Sequence, residues 1–353
     1  MVTKKIKQII NAFDVSKISE TYQGNVEITD LKPQLGTKGH VLVVRGDLAY
    51  ADRLENPNIG NPKFWLFENL LNSEEYQTLL RQNPEFELFD GTGESALRAI
   101  NYFAGKLNRN AVIVTAREIY EARIKKDIKN YPNVEIIPAM EKPAEEGYVE
   151  KQGEILATRQ GLIPLYQALN GPRFLAPIGN NVIGRLEEMA ITPDETFWVC
   201  ASGSNLYGLG TKIKYRFPNC KVNLVEPERQ RTISPTLNLH DKDAVKEFAG
   251  KELKGYKVDE SKLIVDPKNL PLHAEHANRY LLLNWKFTGK TGIDSLFGVT
   301  NNQRDNLGNY LSRLNPEYSW TGTTYDALFP AIESAREGKN VLVMAYGKDG
   351  PKL

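Results

Sequence analysis

Short runs of consecutive apolar residues alternate along the chain with longer segments in which apolar residues recur every three or four positions. The runs predict buried strands at Val41–Val44, Ala111–Thr115, Val134–Ile137, Arg173–Ala176, Phe197–Ala201, Val222–Val225 and Val341–Ala345. The helical spacing predicts helices at Pro62–Leu71, Ser95–Leu107, Ala116–Tyr131, Leu162–Ala168, Leu206–Phe217, Asn302–Leu314 and Tyr325–Gly338. Because strands and helices alternate, the pattern predicts an α/β fold with mainly parallel, twisted sheets flanked by helices.

Length and composition narrow the class of protein. A chain of 353 residues that is 41% hydrophobic and 25% charged can bury a large core and predicts two α/β lobes. Its acidic and basic residues are interspersed and its formal net charge is +1, so neither a nucleic-acid partner nor a membrane surface is indicated. The lack of a signal peptide and of a long apolar run, with only two cysteines, predicts a cytoplasmic protein. The one close histidine pair, His273 and His276, has no cysteine cluster nearby, so we predict no metal site.

A loop of small residues follows the apolar run that ends at Cys200. Residues 201–205, Ala-Ser-Gly-Ser-Asn, allow backbone N–H groups to approach an anion closely, and the helix predicted from Leu206 adds the positive end of its dipole. The loop therefore predicts a phosphate site, with an ordinary strand-to-helix turn as the alternative. Its glycines lack the G-x-G-x-x-G spacing and no Gly-Lys-Ser/Thr follows, so we expect a phosphorylated ligand other than a dinucleotide.

This loop resembles part of a known family. Ser202-Gly-Ser-Asn-Leu-Tyr-Gly, with Val222-Asn-Leu-Val-Glu-Pro downstream, is similar to the cofactor-phosphate loop and following strand of fold-type II pyridoxal-phosphate enzymes. That family includes the tryptophan synthase β subunit, cysteine synthase and threonine synthase. The resemblance implies a two-lobed fold like that of tryptophan synthase β, with pyridoxal 5'-phosphate as the cofactor. It assigns the cofactor phosphate to Ser202, Gly203, Ser204 and Asn205.

A second segment resembles the start of cysteine synthase. Thr29-Asp-Leu is followed by the strand Val41–Val44 and then by Asn61-Pro-Lys-Phe-Trp, as Thr-Pro-Leu, a strand and the lysine-bearing helix follow one another in that family. Lys63 stands in the place of the lysine, at the first turn of a helix opened by Asn61 and Pro62. The resemblance implies that the Lys63 amine bonds to the cofactor and later carries the substrate α-proton. We expect burial and the helix N-terminus to lower the pKa of Lys63.

The segment Phe89-Asp-Gly-Thr-Gly-Glu-Ser-Ala-Leu follows at the interval at which the family places its loop for the substrate carboxylate. The residues that this resemblance assigns to the substrate are Asp90, Gly91, Thr92, Glu94 and Ser95. Gly93 stands where the family has an asparagine near the cofactor ring oxygen. Two acids in this loop depart from the family pattern, which offers hydroxyls and amides. Glu94 is either part of the scaffold, a general acid–base, or a selector of substrates with a cationic or missing carboxylate.

Three C-terminal segments agree with the same family. Leu296-Phe-Gly-Val-Thr-Asn-Asn-Gln resembles a segment of the cysteine synthases. Trp320-Thr-Gly-Thr-Thr-Tyr resembles the D-cysteine desulfhydrase and aminocyclopropane-carboxylate deaminase branch, and Val341–Ala345 the closing strand. The resemblance implies that Thr321, Thr323 or Tyr346 meets the pyridine nitrogen, which leaves the ring largely unprotonated and favours β-elimination and β-replacement.

The resemblance also sets the predicted domains and function. Residues 1–60 and 172–353 are expected to form the larger, cofactor-binding lobe, and residues 61–171 a smaller lobe with a mobile substrate-binding subdomain. Residues 229–290 are polar and weakly periodic, and we interpret them as a cap or excursion. The predicted function is β-replacement on a serine- or cysteine-like amino acid through an aminoacrylate intermediate, in a homodimer. The alternatives are a lyase or deaminase of the same fold that releases ammonia and a keto acid, and a non-catalytic relative.

Overall fold

The computed structural model describes residues 15–54, 60–139, 146–199, 203–227, 258–259, 264–265 and 294–347. The strands are β1 (Ile28–Asp30), β2 (Val41–Val44), β3 (Glu87–Gly91), β4 (Ala111–Ala116), β5 (Val134–Ala139), β6 (Leu162–Pro164), β7 (Glu195–Val199), β8 (Lys221–Pro227), β9 (Val258–Asp259), β10 (Ile264–Val265), β11 (Ser295–Val299) and β12 (Val341–Met344). The α-helices are α1 (Lys32–Leu35), α2 (Pro62–Asn72), α3 (Glu74–Gln82), α4 (Glu94–Lys106), α5 (Arg117–Ile119), α6 (Glu146–Thr158), α7 (Gln167–Glu188), α8 (Thr211–Arg216), α9 (Asn301–Leu314) and α10 (Gly322–Arg336).

Shorter helical turns join these elements. Turns of 3₁₀ type lie at Val15–Lys17, Gly46–Leu48, Ala51–Arg53, Lys125–Asn130 and Pro316–Tyr318. Turns of π type lie at Tyr120–Ile124 and Leu206–Gly210. The second π turn runs directly into α8, so residues 204–216 form one continuous helical segment, called here the 204–216 helix.

The larger sheet has the strand order β1-β2-β12-β7-β8-β11, and only β1 runs antiparallel to its neighbour. Every residue of β2 and of β12 is buried. Side chains alternate between the two faces of the sheet. Leu42 and Met344 join the apolar cluster on one face, while Val41 and Val343 join the cluster on the other. Helices cover both faces, which explains why these strands are continuous apolar runs rather than alternating ones.

The smaller sheet has the order β5-β4-β3-β6, and all its strands are parallel. Its central strand β4 is buried along its whole length. The neighbouring strand β3 ends with Asp90 and Gly91, which therefore lie at the carboxyl edge of this sheet, directly before α4. These two sheets and their helices confirm the predicted α/β class with mainly parallel sheets.

Two sequence predictions around α7 are wrong. The predicted strand Arg173–Ala176 lies inside α7, and the predicted helix Leu162–Ala168 is replaced by β6 and the turn that leads into α7. A short apolar run such as Phe174–Ala176 fits a buried helix as well as a strand, and periodicity alone cannot distinguish them. No pattern in the sequence predicted β3, because Glu87 and Asp90 interrupt its apolar residues.

The division into lobes stays a prediction. The predicted cap or excursion at 229–290 lies outside the described residues, apart from the antiparallel pair β9 and β10.

Helix α7 packs closely on the 204–216 helix because glycines remove side chains from the contact. A Cβ added at Gly179 would lie 2.9 Å from Cβ of Lys212, and one added at Gly208 would lie 2.9 Å from the carbonyl oxygen of Pro172. Neither position leaves room for a methyl group without movement of the neighbouring helix. The contact therefore fixes the 204–216 helix, and the loop before it, against α7.

This contact predicts opposite effects for two glycine substitutions in the same helix. Gly179→Ala should lower the free energy of unfolding by about 1–3 kcal/mol, because its methyl group has no space. Gly184→Ala is the matched control, since a Cβ there meets nothing within 4 Å. It should leave stability unchanged or raise it by up to about 1 kcal/mol through helix propensity. Urea unfolding of both variants measures the difference, and equal midpoints would contradict the close contact.

Candidate functional site

The first turn of α2 holds Lys63 in place. Asn61 caps this helix with extended backbone, and its side-chain oxygen accepts a hydrogen bond from the Lys63 N–H at 2.9 Å. The Asn61 amide nitrogen also donates to the carbonyl oxygen of Ser95 at 3.4 Å. Asn61 therefore links the start of α2 to the first turn of α4. Pro62 occupies the first helical position, where its missing N–H costs no hydrogen bond.

Lys63 and Asp90 form an electrostatically coupled pair. Lys63 is half-buried as a residue, but its amine is surrounded by protein. This burial lowers the pKa of Lys63 to about 8, although the charge of Asp90 acts to raise it. Asp90 is buried, and burial raises the pKa of its carboxyl group to about 7. The Gly91 N–H, 3.0 Å from Asp90 Oδ1, and the charge of Lys63 oppose that rise. A substantial fraction of Lys63 is consequently a neutral amine near physiological pH.

The rest of the predicted substrate loop lies between β3 and α4. Thr92 is buried, and its hydroxyl accepts a hydrogen bond from the side-chain amide of Gln167. Gly91 is packed under α6, since an added Cβ would lie 2.2 Å from Gln152 Oε1. Gly93 caps α4 and has space around it, with Ile119 Cδ1 at 3.8 Å from an added Cβ. The Ser95 side chain is exposed.

The two acids of this loop have different surroundings. Glu94 forms an ion pair with Arg98 one turn later on α4. Asp90 has no such cation in contact among the described residues, although the charge of Lys63 acts on it. The pairing of Glu94 supports the scaffold alternative for that residue and leaves Asp90 as the carboxylate with unfilled hydrogen-bonding capacity.

The predicted phosphate loop is described from Gly203 onward, so Ser202 lies outside the described residues. Gly203 has a φ of 77°, a left-handed conformation that favours glycine. Its carbonyl oxygen accepts from the N–H of Tyr207 at 2.9 Å, which places Gly203 at the start of the 204–216 helix. Ser204 is buried against α7, where a Cβ added at Gly171 would lie 2.4 Å from Ser204 Oγ. N–H groups at the start of a helix are of the kind that binds anions, and the phosphate site at this turn stays a prediction.

Asn205 connects the phosphate loop to the predicted ring-nitrogen residues. Its side-chain amide donates to the hydroxyl oxygen of Tyr346 at 3.0 Å. The hydroxyl of Thr321 donates to the carbonyl oxygen of Tyr346 at 2.7 Å, and the Tyr346 N–H donates to Thr324 Oγ1 at 2.9 Å. Thr323 lies half-buried in the first turn of α10. The hydroxyl proton of Thr321 is thus used in a hydrogen bond to the backbone. The hydroxyl group of Tyr346 instead lies next to Asn205 of the predicted phosphate loop.

Several contacts around this site have no signal in the sequence. Trp320 Nε1 donates to Asp47 Oδ2 at 3.0 Å, and Asp47 is buried in an ion pair with Arg45 at 2.8 Å. This network fixes the residue that precedes Thr321. Gln167 was also missed, because the sequence predicted a helix across the turn where it begins α7. A carboxylate next to a buried strand and a tryptophan far along the chain give no pattern that links them.

The donor set fits pyridoxal phosphate. A lysine whose amine is surrounded by protein and whose pKa is lowered supplies a neutral amine for the carbonyl carbon of such a cofactor. A helix start that begins with glycine suits its phosphate, and hydroxyl groups suit its ring.

In the described ranges no group of three His, Cys, Asp or Glu side chains is arranged to hold a metal ion. None of the helices described is long and apolar enough to cross a bilayer.

Comparison with known proteins identifies the fold. No protein-family model matches the sequence, and no curated protein sequence matches it. An O-acetylserine-dependent cystathionine beta-synthase from Helicobacter pylori has a similar structure, with a TM-score of 0.64 and 16% identity over 94% of this chain and 96% of that chain. A hydrogen sulfide-producing enzyme from Fusobacterium nucleatum is similar too, with a TM-score of 0.65 and 15% identity over 94% of this chain and 97% of that chain. The chain therefore has the fold of the fold-type II pyridoxal-phosphate enzymes.

Proposed function

We propose that this protein is a pyridoxal-phosphate-dependent enzyme that performs β-replacement or β-elimination on an amino acid. The observation that carries the proposal is Lys63, which lies in the first turn of α2 and whose pKa is lowered by burial to about 8. The fold is shared with a cystathionine beta-synthase and a hydrogen sulfide-producing enzyme. When bound, the cofactor would withdraw electrons from the substrate Cα. The protein residues would supply the attachment, the anion site and the proton transfer.

Each residue group has a role in this proposal. Lys63 would hold the cofactor through Nζ, and its neutral amine would take the α-proton of the substrate. Gly203, Ser204 and Asn205 would hold the phosphate. Tyr346, which already accepts a hydrogen bond from Asn205, is the better placed of the ring-nitrogen candidates, because the Thr321 hydroxyl donates to backbone.

The finer assignment is β-replacement on a serine- or cysteine-like amino acid. The O-acetylserine dependence of one structural neighbour supports it, and the hydrogen sulfide production of the other supports the lyase alternative. Release of ammonia and a keto acid without a second substrate would distinguish the lyase. A homodimer in the cytoplasm stays a prediction.

Replacement of Lys63 by alanine tests the attachment site. After incubation with pyridoxal phosphate and borohydride reduction, the wild-type protein should carry a labelled peptide that contains Lys63, and Lys63→Ala should not. Lys125→Ala, at an exposed lysine paired only with Glu121, is the matched control and should label normally. Peptide mass spectrometry measures the outcome. A labelled peptide of wild-type yield in Lys63→Ala would show that another lysine carries the cofactor.

The lowered pKa of Lys63 predicts a pH dependence for cofactor attachment. The rate at which cofactor-free protein reacts with pyridoxal phosphate should rise with pH around a midpoint near 8, because only the neutral amine reacts. The charge of Asp90 favours the ammonium form, so Asp90→Asn should move the midpoint to lower pH. Rapid-mixing absorbance measures both midpoints. A wild-type midpoint near the ordinary lysine pKa of about 10 would contradict the burial of the amine.

Two substitutions at Gly203 separate charge from backbone effects at the phosphate loop. Asparagine tolerates the left-handed conformation of this residue, so Gly203→Asn should weaken cofactor binding modestly. Gly203→Asp adds a negative charge at the same place and should weaken binding by about a hundredfold. Equilibrium titration of cofactor fluorescence gives both affinities. Equal affinities for the two variants would remove Gly203 from the phosphate site.

A further inference from the structure

The buried carboxylate of Asp47 receives hydrogen bonds from its own turn and from a distant part of the chain. The Arg45 guanidinium donates to both oxygens, from Nε to Oδ1 and from Nη2 to Oδ2, each at 2.8 Å. Trp320, also buried, donates from Nε1 to Oδ2 at 3.0 Å. These bonds hold the segment that leads into Thr321 against the turn Gly46–Leu48, called here the 46–48 turn.

The 46–48 turn also packs against the chain that leads into α2. A Cβ added at Gly46 would lie 2.6 Å from Pro62 Cγ, and one added at Gly60 would lie 2.5 Å from the carbonyl oxygen of Asp47. Neither glycine can carry a side chain while these contacts are kept. Because Lys63 directly follows Pro62, the turn fixes where the lysine-bearing helix begins.

The same turn meets the end of β12. A Cβ added at Gly46 would lie 2.5 Å from the carbonyl oxygen of Ala345, the residue before Tyr346. The hydroxyl and the N–H of Thr321 both donate to the carbonyl oxygen of Tyr346, at 2.7 and 3.3 Å. Thr321 and Tyr346 are therefore anchored to this turn twice, once through the side chain of Trp320 and once through Ala345.

Stability alone does not explain an ion pair at this place. Arg45 and Asp47 are both buried, and such a pair gains little net stability over apolar residues of similar size. A guanidinium that donates two parallel hydrogen bonds to a carboxylate supplies fixed geometry instead. The carboxylate held in this way determines where its third donor, Trp320 Nε1, has to lie.

We propose that Asp47 is a positioning residue that holds Lys63 and the Thr321–Tyr346 pair at a fixed separation, and so sets the contact of the protein with the cofactor ring nitrogen. Lys63 would hold one side of the ring, and a hydroxyl group near Thr321 or Tyr346 would meet the nitrogen, so their separation has to match the ring. This inference rests on the proposed function, because that function supplies the ring.

Trp320→Phe removes one hydrogen bond from this junction and keeps an aromatic ring. In the cofactor-free protein, backbone amides of residues 319–324 should exchange with deuterium at least about tenfold faster, because their anchor on Asp47 is lost. Trp198→Phe is the matched control. Trp198 is buried in the apolar cluster on the other face of the larger sheet, and its Nε1 donates to Thr196 Oγ1 at 2.8 Å. Its loss should leave the exchange of residues 319–324 unchanged.

Cofactor binding distinguishes positioning from a merely structural role. Pyridoxal 5'-phosphate and its 1-deaza analogue share the aldehyde and the phosphate and differ only at the ring nitrogen. The wild-type protein and Trp198→Phe should bind pyridoxal 5'-phosphate about fivefold more tightly than the analogue, as one neutral hydrogen bond implies. In Trp320→Phe the two affinities should become equal, whereas a merely structural role would weaken the binding of both compounds by the same factor.

Asp47→Asn tests the centre of the junction. The amide nitrogen that replaces one carboxylate oxygen cannot accept a hydrogen bond from Arg45 or Trp320. Exchange should become faster both in residues 319–324 and in residues 60–66, at the start of α2, whereas Trp320→Phe should leave residues 60–66 unchanged. If Asp47→Asn does not fold, as circular dichroism reports, the results for Trp320→Phe decide.

The outcomes separate this inference from the proposed function. Wild-type exchange of residues 319–324 in Trp320→Phe would overturn the junction, and a retained preference for pyridoxal 5'-phosphate in that variant would overturn its role at the ring nitrogen. Equal affinities already in the wild-type protein would also overturn that role. If the protein takes up neither compound, the proposed function fails, and the exchange rates still decide whether Asp47 links the two segments.

Discussion

The contact of α7 with two other helices is the constraint on which the site depends. Helix α7 packs on the 204–216 helix through Gly179 and Gly208, and Gly171 brings it against both Ser204 and Leu66 of α2. Its first residue, Gln167, reaches back to Thr92 of the smaller sheet. One helix therefore positions α2, which carries Lys63, together with the predicted phosphate loop and the predicted substrate loop. The lack of side chains at these glycines makes this possible.

Burial then determines the chemistry. The same desolvation that lowers the pKa of Lys63 raises the pKa of Asp90, so both groups are shifted toward their neutral forms. Their mutual attraction opposes both shifts without a direct contact. A pair held apart in this way can respond to a ligand charge, whereas a closed ion pair such as Arg45 and Asp47 is already satisfied. Glu94 belongs to the second kind, because Arg98 neutralises it within α4.

The sequence predicted the elements whose pattern is local. β2, β4 and β12 were read correctly because strands covered on both faces are unbroken apolar runs, and α2 because Asn61 and Pro62 form a helix start. The region around α7 was misread, since its apolar run suits a buried helix and a strand equally. The family resemblance agrees with the observed fold.

Local chemistry in the sequence determined where helices start, which strands are buried and which lysine sits at a helix N-terminus. Only the tertiary structure decided which acid is paired with a cation. Asp90 and Glu94 are four residues apart and look alike in sequence, yet one is buried and coupled to the charge of Lys63 and the other meets Arg98. The reason is physical: pKa values and unfilled acceptors depend on what surrounds a group in space, and the backbone N–H of Gln167 reaches Asp90 from far along the chain.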